Sequence, residues 1–117
     1  MPQPVVHFEI SATNLTKSNE FYGKLFDWNI SQYPGMEYGM VAAAGDKSIG
    51  GGIGPVQPGD STCVSIYVQV DDLQAYLDKA TKLGGKAIVP PTPIPGIGAF
   101  AMFADLDGNR IGLFKSN

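Results

Sequence analysis

The stretch "TCVSIYVQVDDLQAYLDKATKLGG" (62–85) changes its period halfway along, and that change decides the fold. Through Val70 the apolar residues alternate. Val64, Ile66, Val68 and Val70 share one side, as in a strand with one buried face. From Asp71 onward Leu73, Tyr76, Leu77, Ala80 and Leu83 fall three or four apart. Acidic residues open this segment and glycines close it, which predicts a helix over 71–85. The same order occurs about 58 residues earlier, half the chain length, in "VVHFEISATNLTKSNEFYGKLFDW" (5–28). Residues 5–10 read as a strand, and 14–26 as a helix with Leu15, Tyr22, Leu25 and Phe26 at helical spacing behind an Asn14 or Thr16 cap.

The offset holds residue by residue, pairing Phe8 with Ile66, Ile10 with Val68, Leu15 with Leu73, Leu25 with Leu83 and Ile30 with Ile88. Three short strands follow each helix. In the first half they are "WNISQYP", "EYGMVAAAG" and "KSIGGGIGP"; in the second "KAIVPPTPIP", "GAFAMFAD" and "NRIGLFK", the last two joined by an Asp107-Gly108 hairpin turn. The repeated unit is therefore βαβββ, over about 5–56 and 62–115. Neither copy is large enough to bury its own sheet face, so the two are expected to pair in one α+β domain spanning 1–117. That domain would be a curved mixed sheet with helices on its outer face.

Composition narrows the function. Apolar residues make up 44% of the chain and charged ones 16%, which argues for a compact protein and against disorder. A net charge of −3 with scattered Lys and Arg predicts no nucleic-acid partner and no attraction to acidic membranes. No apolar run approaches the roughly 20 residues that cross a bilayer, and "MPQPVV" lacks signal-peptide character, so a cytoplasmic location is expected. Cys63 is the only cysteine and reads as a buried, inert thiol, since no second histidine exists to activate it.

Alternation leaves a second face on each strand. It carries His7 and Glu9 in the first half, Ser65, Tyr67 and Gln69 in the second, and Arg110, Gly112 and Phe114 in the last strand. A mixed polar and aromatic face opposite a helix-covered one suits either a ligand-lined concave sheet or a solvated surface.

Three segments, "VVHFEISATNLTKSNEFYGKLFDW" (5–28), "YVQVDDLQAYLDKATKLGGK" (67–86) and "PIPGIGAFAMFADLDGNRIGLF" (93–114), resemble the vicinal oxygen chelate superfamily, which includes glyoxalase I, bleomycin-resistance proteins and extradiol dioxygenases. The resemblance covers nearly the whole chain and implies paired βαβββ modules. In metal-using members it implies four ligands, typically His, Glu or Gln, His and Glu. Carried over, the first position is His7, the second-module equivalent is Ser65, the closing acid of a Gly-Asn-Arg-Ile-Glu-Leu-like pattern is Gly112 in "GNRIGL", and the remaining one lies within "GGGIG" (50–54). Three of the four positions carry no ordinary metal ligand, and His7 with Glu9 falls short of a three-ligand catalytic site.

The expectation is thus a member without a metal or other cofactor, acting as a homodimer or a compact paired-module monomer and binding a small organic molecule in a concave sheet pocket. His7 would hydrogen-bond or act as general base, with Glu9 orienting it. Ser65 and Tyr67 would offer hydroxyls, Gly112 would leave room, and Phe114 would form apolar wall. Whether a reaction is catalysed is left open. The alternatives are a metal-dependent lyase, isomerase or dioxygenase with noncanonical ligands, and a non-catalytic structural or interaction module.

Other signals are weaker. "GGGIG" fails as a phosphate cradle because Pro55 follows and no helix does; side-chain-free backbone there lets another segment or a ligand come close. "DLDGN" (105–109) is a turn rather than a calcium loop. The prolines of "VPPTPIPGIG" (89–98) read as a rigid rim loop, with the plain end of an edge strand as the alternative. Trp28, Tyr38 and Tyr67 could stack on a ligand or belong to the core.

Overall fold

A computed structural model describes residues 2–117, and within them the chain forms eight strands and two helices with mixed parallel and antiparallel pairing, an α+β arrangement. It divides into two compact units, one of His7–Val64 and one of Ser65–Asn117 together with residues 2–6.

The first unit runs β1 (Val5–Ala12), α1 (Leu15–Phe26), β2 (Ile30–Gln32), β3 (Gly39–Val41) and β4 (Gly50–Pro55). Its strand order is β2-β3-β4-β1, with β1 parallel to β4 and the other pairs antiparallel. Asn14 caps α1, its side-chain oxygen accepting the Lys17 N–H at 3.0 Å, a contact type that stabilises a helix by about 1 kcal/mol. The helix ends at Asp27, whose φ of 59° turns the chain so that Trp28 comes back against the Tyr22 ring, 5.4 Å between centroids. Ala12, Val41 and Ile53 form the buried centre, with Phe8, Ile10, Leu15, Tyr22, Trp28 and Ile30 packed on it. As alternation predicts, Phe8 and Ile10 lie on the core side of β1.

The second unit repeats this topology with β5 (Val64–Gln69), α2 (Leu73–Lys82), β6 (Lys86–Ile94), β7 (Gly98–Ala104) and β8 (Arg110–Ser116), in the order β5-β8-β7-β6. Here β5 is parallel to β8, while β7 pairs antiparallel with β8 and β6. Asp72 caps α2 by accepting the Ala75 N–H at 3.0 Å. Gly84, at φ 104°, then reverses the chain, a conformation that a Cβ would strain. The core is Val70, Leu73, Leu77, Ala101 and Leu113. The β7–β8 hairpin turns around Asp105, whose carboxylate accepts the N–H groups of Asp107 and Asn109 and the Asn109 side-chain amide. These donors hold its carboxyl below the usual aspartate value.

Four expectations change. The apolar side of 64–70 is not wholly covered: Val70 is buried and Val68 packs on the core, but Val64 and Ile66 are 70% and 38% exposed. The ten residues of α2 span only about 15 Å, and their core-side residues meet the C-terminal end of the strand. Leu83 is 71% exposed because the helix stops at Lys82, leaving it at the cap beyond the packed face. Cys63 is exposed rather than buried, because it precedes β5, where Ser11 holds its backbone by accepting the Cys63 N–H at 2.7 Å. Finally, the prolines of 89–98 make no rim loop. β6 continues through them to Ile94 as the outer strand of its unit, with register shifts between Ala87 and Thr92.

Candidate functional site

Alternation along β1 puts His7 and Glu9 on one face, opposite Phe8 and the core. Between them the structure inserts Tyr38, from the turn that leads into β3. Its hydroxyl lies 2.9 Å from His7 Nε2 and donates to Glu9 Oε2 at 3.1 Å. A phenol has one hydrogen, so with that hydrogen on Glu9 the His7 Nε2 must carry its own and donate to the phenol oxygen. In the neutral imidazole this leaves Nδ1 as the nitrogen that can take up a second proton. Burial favours this neutral form and lowers the His7 pKa from its ordinary value of 6.5. The result is a half-buried series of imidazole, phenol and carboxylate along which a proton can be shared.

β4 explains why a tyrosine ring fits there. β1 and β4 are in register with Glu9 opposite Gly52, and a Cβ on Gly52 would lie 1.7 Å from the Tyr38 hydroxyl oxygen and 2.0 Å from Cζ. A Cβ on Gly54 would come within 3.1 Å of the same ring. Gly51 faces the other way, where the Phe8 ring occupies the space of its missing side chain. "GGGIG" is therefore a floor for two aromatic rings, one on each face of the sheet.

The second unit holds the remaining expected site residues. Tyr67 lies in register with Gly112, and a Cβ there would be 2.3 Å from Tyr67 Cδ2. The room expected at Gly112 is thus taken by the Tyr67 ring. Tyr67 is 8% exposed and Ser65 6%, and half-buried Phe114 lies opposite Gln69 and Phe100. So the structure brings His7 and Glu9 together in one unit and Tyr67 with Gly112 in the other. Sequence reasoning named Tyr38 only as an aromatic that could stack on a ligand or belong to the core. The clue to its role was the run of glycines, which required something bulky above it. Among the described residues no three His, Cys, Asp or Glu side chains are grouped so as to hold a metal ion.

Comparison with known proteins identifies the family and the fold. The family model described as Glyoxalase/Bleomycin resistance protein/Dioxygenase superfamily matches residues 5–113. The chain is 37% identical over 75 residues to the Mycobacterium bovis protein CFP32, covering 64% of this chain and 29% of that one, so it spans under a third of that relative's length. It is 29% identical over 108 residues to a glyoxylase-like domain-containing protein of Didymella fabae, covering 86% and 84% of the two chains. The crystal structure of methylmalonyl-CoA epimerase from Mycobacterium tuberculosis shares the fold, with a TM-score of 0.68 at 13% identity over 97% of this chain and 87% of that one.

Proposed function

Because the chain belongs to the Glyoxalase/Bleomycin resistance protein/Dioxygenase superfamily, we propose that it binds a small organic molecule at the His7 face of β1 without a divalent metal. The observation that carries this reading is the Tyr38 hydroxyl, bonded at once to His7 and Glu9. A half-buried polar series of this kind, on the sheet face opposite the Phe8 and Ile10 core, suits recognition of a ligand's polar group. The neutral imidazole is also suited to accept a proton near neutral pH. The Tyr38 oxygen and the Glu9 charge behind it would then stabilise the imidazolium.

The donor set supports the metal-free part. At the positions that the family resemblance marks for ligands stand Ser65, Gly112 and the glycines of β4, and tyrosine rings occupy the space beside Gly52 and Gly112. One imidazole and one carboxylate already bonded to a phenol do not fit a divalent site, which takes three or four protein ligands. A homodimer and a cytoplasmic setting belong to the same reading. The exposed apolar side chains Phe21, Leu25 and Phe26 of α1 are what a subunit contact would cover.

The test is elemental analysis of untagged protein together with a thermal-shift screen of small organic compounds on wild type, His7→Gln and Tyr38→Phe. Sub-stoichiometric metal is expected, with stabilisers whose effect disappears in both variants. A tightly held metal at one per chain, or compounds that stabilise all three proteins equally, would overturn the proposal.

A further inference from the structure

The second unit has a cavity on its helix-covered side that plays no part in the reading above. Its volume is about 410 Å³, within the roughly 300–1,000 Å³ of small-molecule sites. Small residues create it. α2 presents Ala80 to the sheet where a larger side chain would fill the gap, and Gly84 and Gly85 carry the chain close against β7, where a Cβ on Gly85 would lie 2.7 Å from the Ala104 carbonyl oxygen. Val70 and Leu113 form the buried floor and Phe103 a wall. At the mouth stand Leu83 and Leu106, 71% and 76% exposed. The cavity is an open groove, and an aliphatic chain lying in it would meet apolar atoms on its protein side and cover two leucines that water now surrounds.

Polar groups at this cavity are few, and they differ in what they can still take. Lys79 and Asp105 are its charged residues. Asp105 is committed to the hairpin turn, with one carboxylate oxygen accepting from Asp107 N and Asn109 N and the other from Asn109 Nδ2. The last carbonyls of α2 are also engaged: Lys79, Ala80 and Thr81 accept from the N–H groups of Leu83, Gly85 and Gly84. Lys79 differs, with its ammonium 6.0 Å from the centre of the Tyr76 ring and in no salt bridge among the described residues. Asp105 keeps its negative charge, so the rim carries one charge of each sign, but the charged group with hydrogen-bonding capacity left for a ligand head group is the Lys79 ammonium, next to an apolar interior.

We propose that this cavity between α2 and the β7–β8 hairpin binds a free aliphatic monocarboxylate, its chain over Val70, Phe103 and Leu113 and its carboxylate on Lys79. The experiment is a titration of the full chain, isotope-labelled for amide NMR, with hexanoate, octanoate and decanoate below their micelle concentrations. Decanol and decyltrimethylammonium serve as the uncharged and cationic counterparts. Amide shifts are expected at Ala80, Gly85, Phe103 and Leu106, with affinity rising about fourfold per added methylene as buried hydrocarbon requires. Decanoate should bind more tightly than either counterpart. Lys79→Glu should weaken decanoate about fivefold, the upper range of an exposed ion pair, and leave decanol unchanged.

Ala80→Leu should abolish binding by filling the space. If that variant fails to fold, Leu106→Asp at the exposed mouth makes the same test. Absence of binding at millimolar decanoate, affinity independent of chain length, or equal affinity for the cationic amphiphile would each overturn the proposal. So would shifts centred away from α2, or co-sedimentation with anionic phosphatidylglycerol vesicles in place of binding to the free acid.

Discussion

Gly52→Ala tests the site from underneath, because it changes no polar group. The added Cβ would lie 1.7 Å from the Tyr38 hydroxyl oxygen and 2.0 Å from Cζ, whereas carbon contacts settle near 3.5–4.0 Å, so the ring must withdraw by about 2 Å. That movement breaks both bonds of the phenol, at 2.9 Å to His7 and 3.1 Å to Glu9. Overpacking costs about 1–3 kcal/mol and a lost hydrogen bond to a charged group about 1.5–3. Alanine returns roughly 0.5–1 through its smaller unfolded-state entropy, since Gly52 does not need the left-handed region. The net loss is about 2–5 kcal/mol.

Chemical denaturation with linear extrapolation measures that loss, and the decisive comparison uses Tyr38→Ala as a second background. With the ring gone, Gly52→Ala should become stabilising by about 0.5–1 kcal/mol, which makes the coupling between the two positions about 3 kcal/mol or more. A Gly52→Ala protein within about 0.5 kcal/mol of wild type, or additive effects in the double variant, would refute the packing of Tyr38 on Gly52 and the site built on it.

Two further predictions concern the same kind of construction. His7 has a folded-state pKa below 6.5, so the unfolded chain binds its proton first as pH falls. Stability should be fully present above the unfolded-state pKa of 6.5, decline below it and level off once pH is under the folded value. Denaturation midpoints from pH 8 to 4 should show this, and His7→Gln should remove the step around and below pH 6.5; a variant with an unchanged profile would refute it. Gly112→Ala should cost about 1–3 kcal/mol, since its Cβ would lie 2.3 Å from the ring of nearly buried Tyr67. At this length that is a loss of several degrees in Tm, and an unaltered Tm would show that the ring has somewhere else to go.

The repeat was legible because local signals and long-range symmetry agreed. Leu15 and Leu73, 58 positions apart, begin the two helices, and Asn14 and Asp72 cap them. His7 and Glu9 were legible as a pair because strand geometry alone puts alternate residues on one face. Tyr38 was not, because its bonds to His7 and Glu9 span 31 and 29 residues and depend on how far the β2–β3 turn folds back. No periodicity encodes that distance. Leu83 misled for a different reason: the apolar period continues past Lys82, where the backbone stops being helical, and periodicity cannot see a helix end. The glycines of β4 gave half an answer, marking a close approach without naming what approaches.

The outer strand β6 has a further consequence, for how the chain behaves in company. Three of its nine residues, Pro90, Pro91 and Pro93, have no N–H to offer, and the register shifts between Ala87 and Thr92 break the straight row of acceptors and donors. A neighbouring molecule trying to extend the sheet there would find a ladder with missing rungs. The prolines that suggested a loop thus leave the strand able to pair inward with β7 while giving it a poor template on its other side. That asymmetry should keep this border from recruiting further strands in crowded solutions or during refolding.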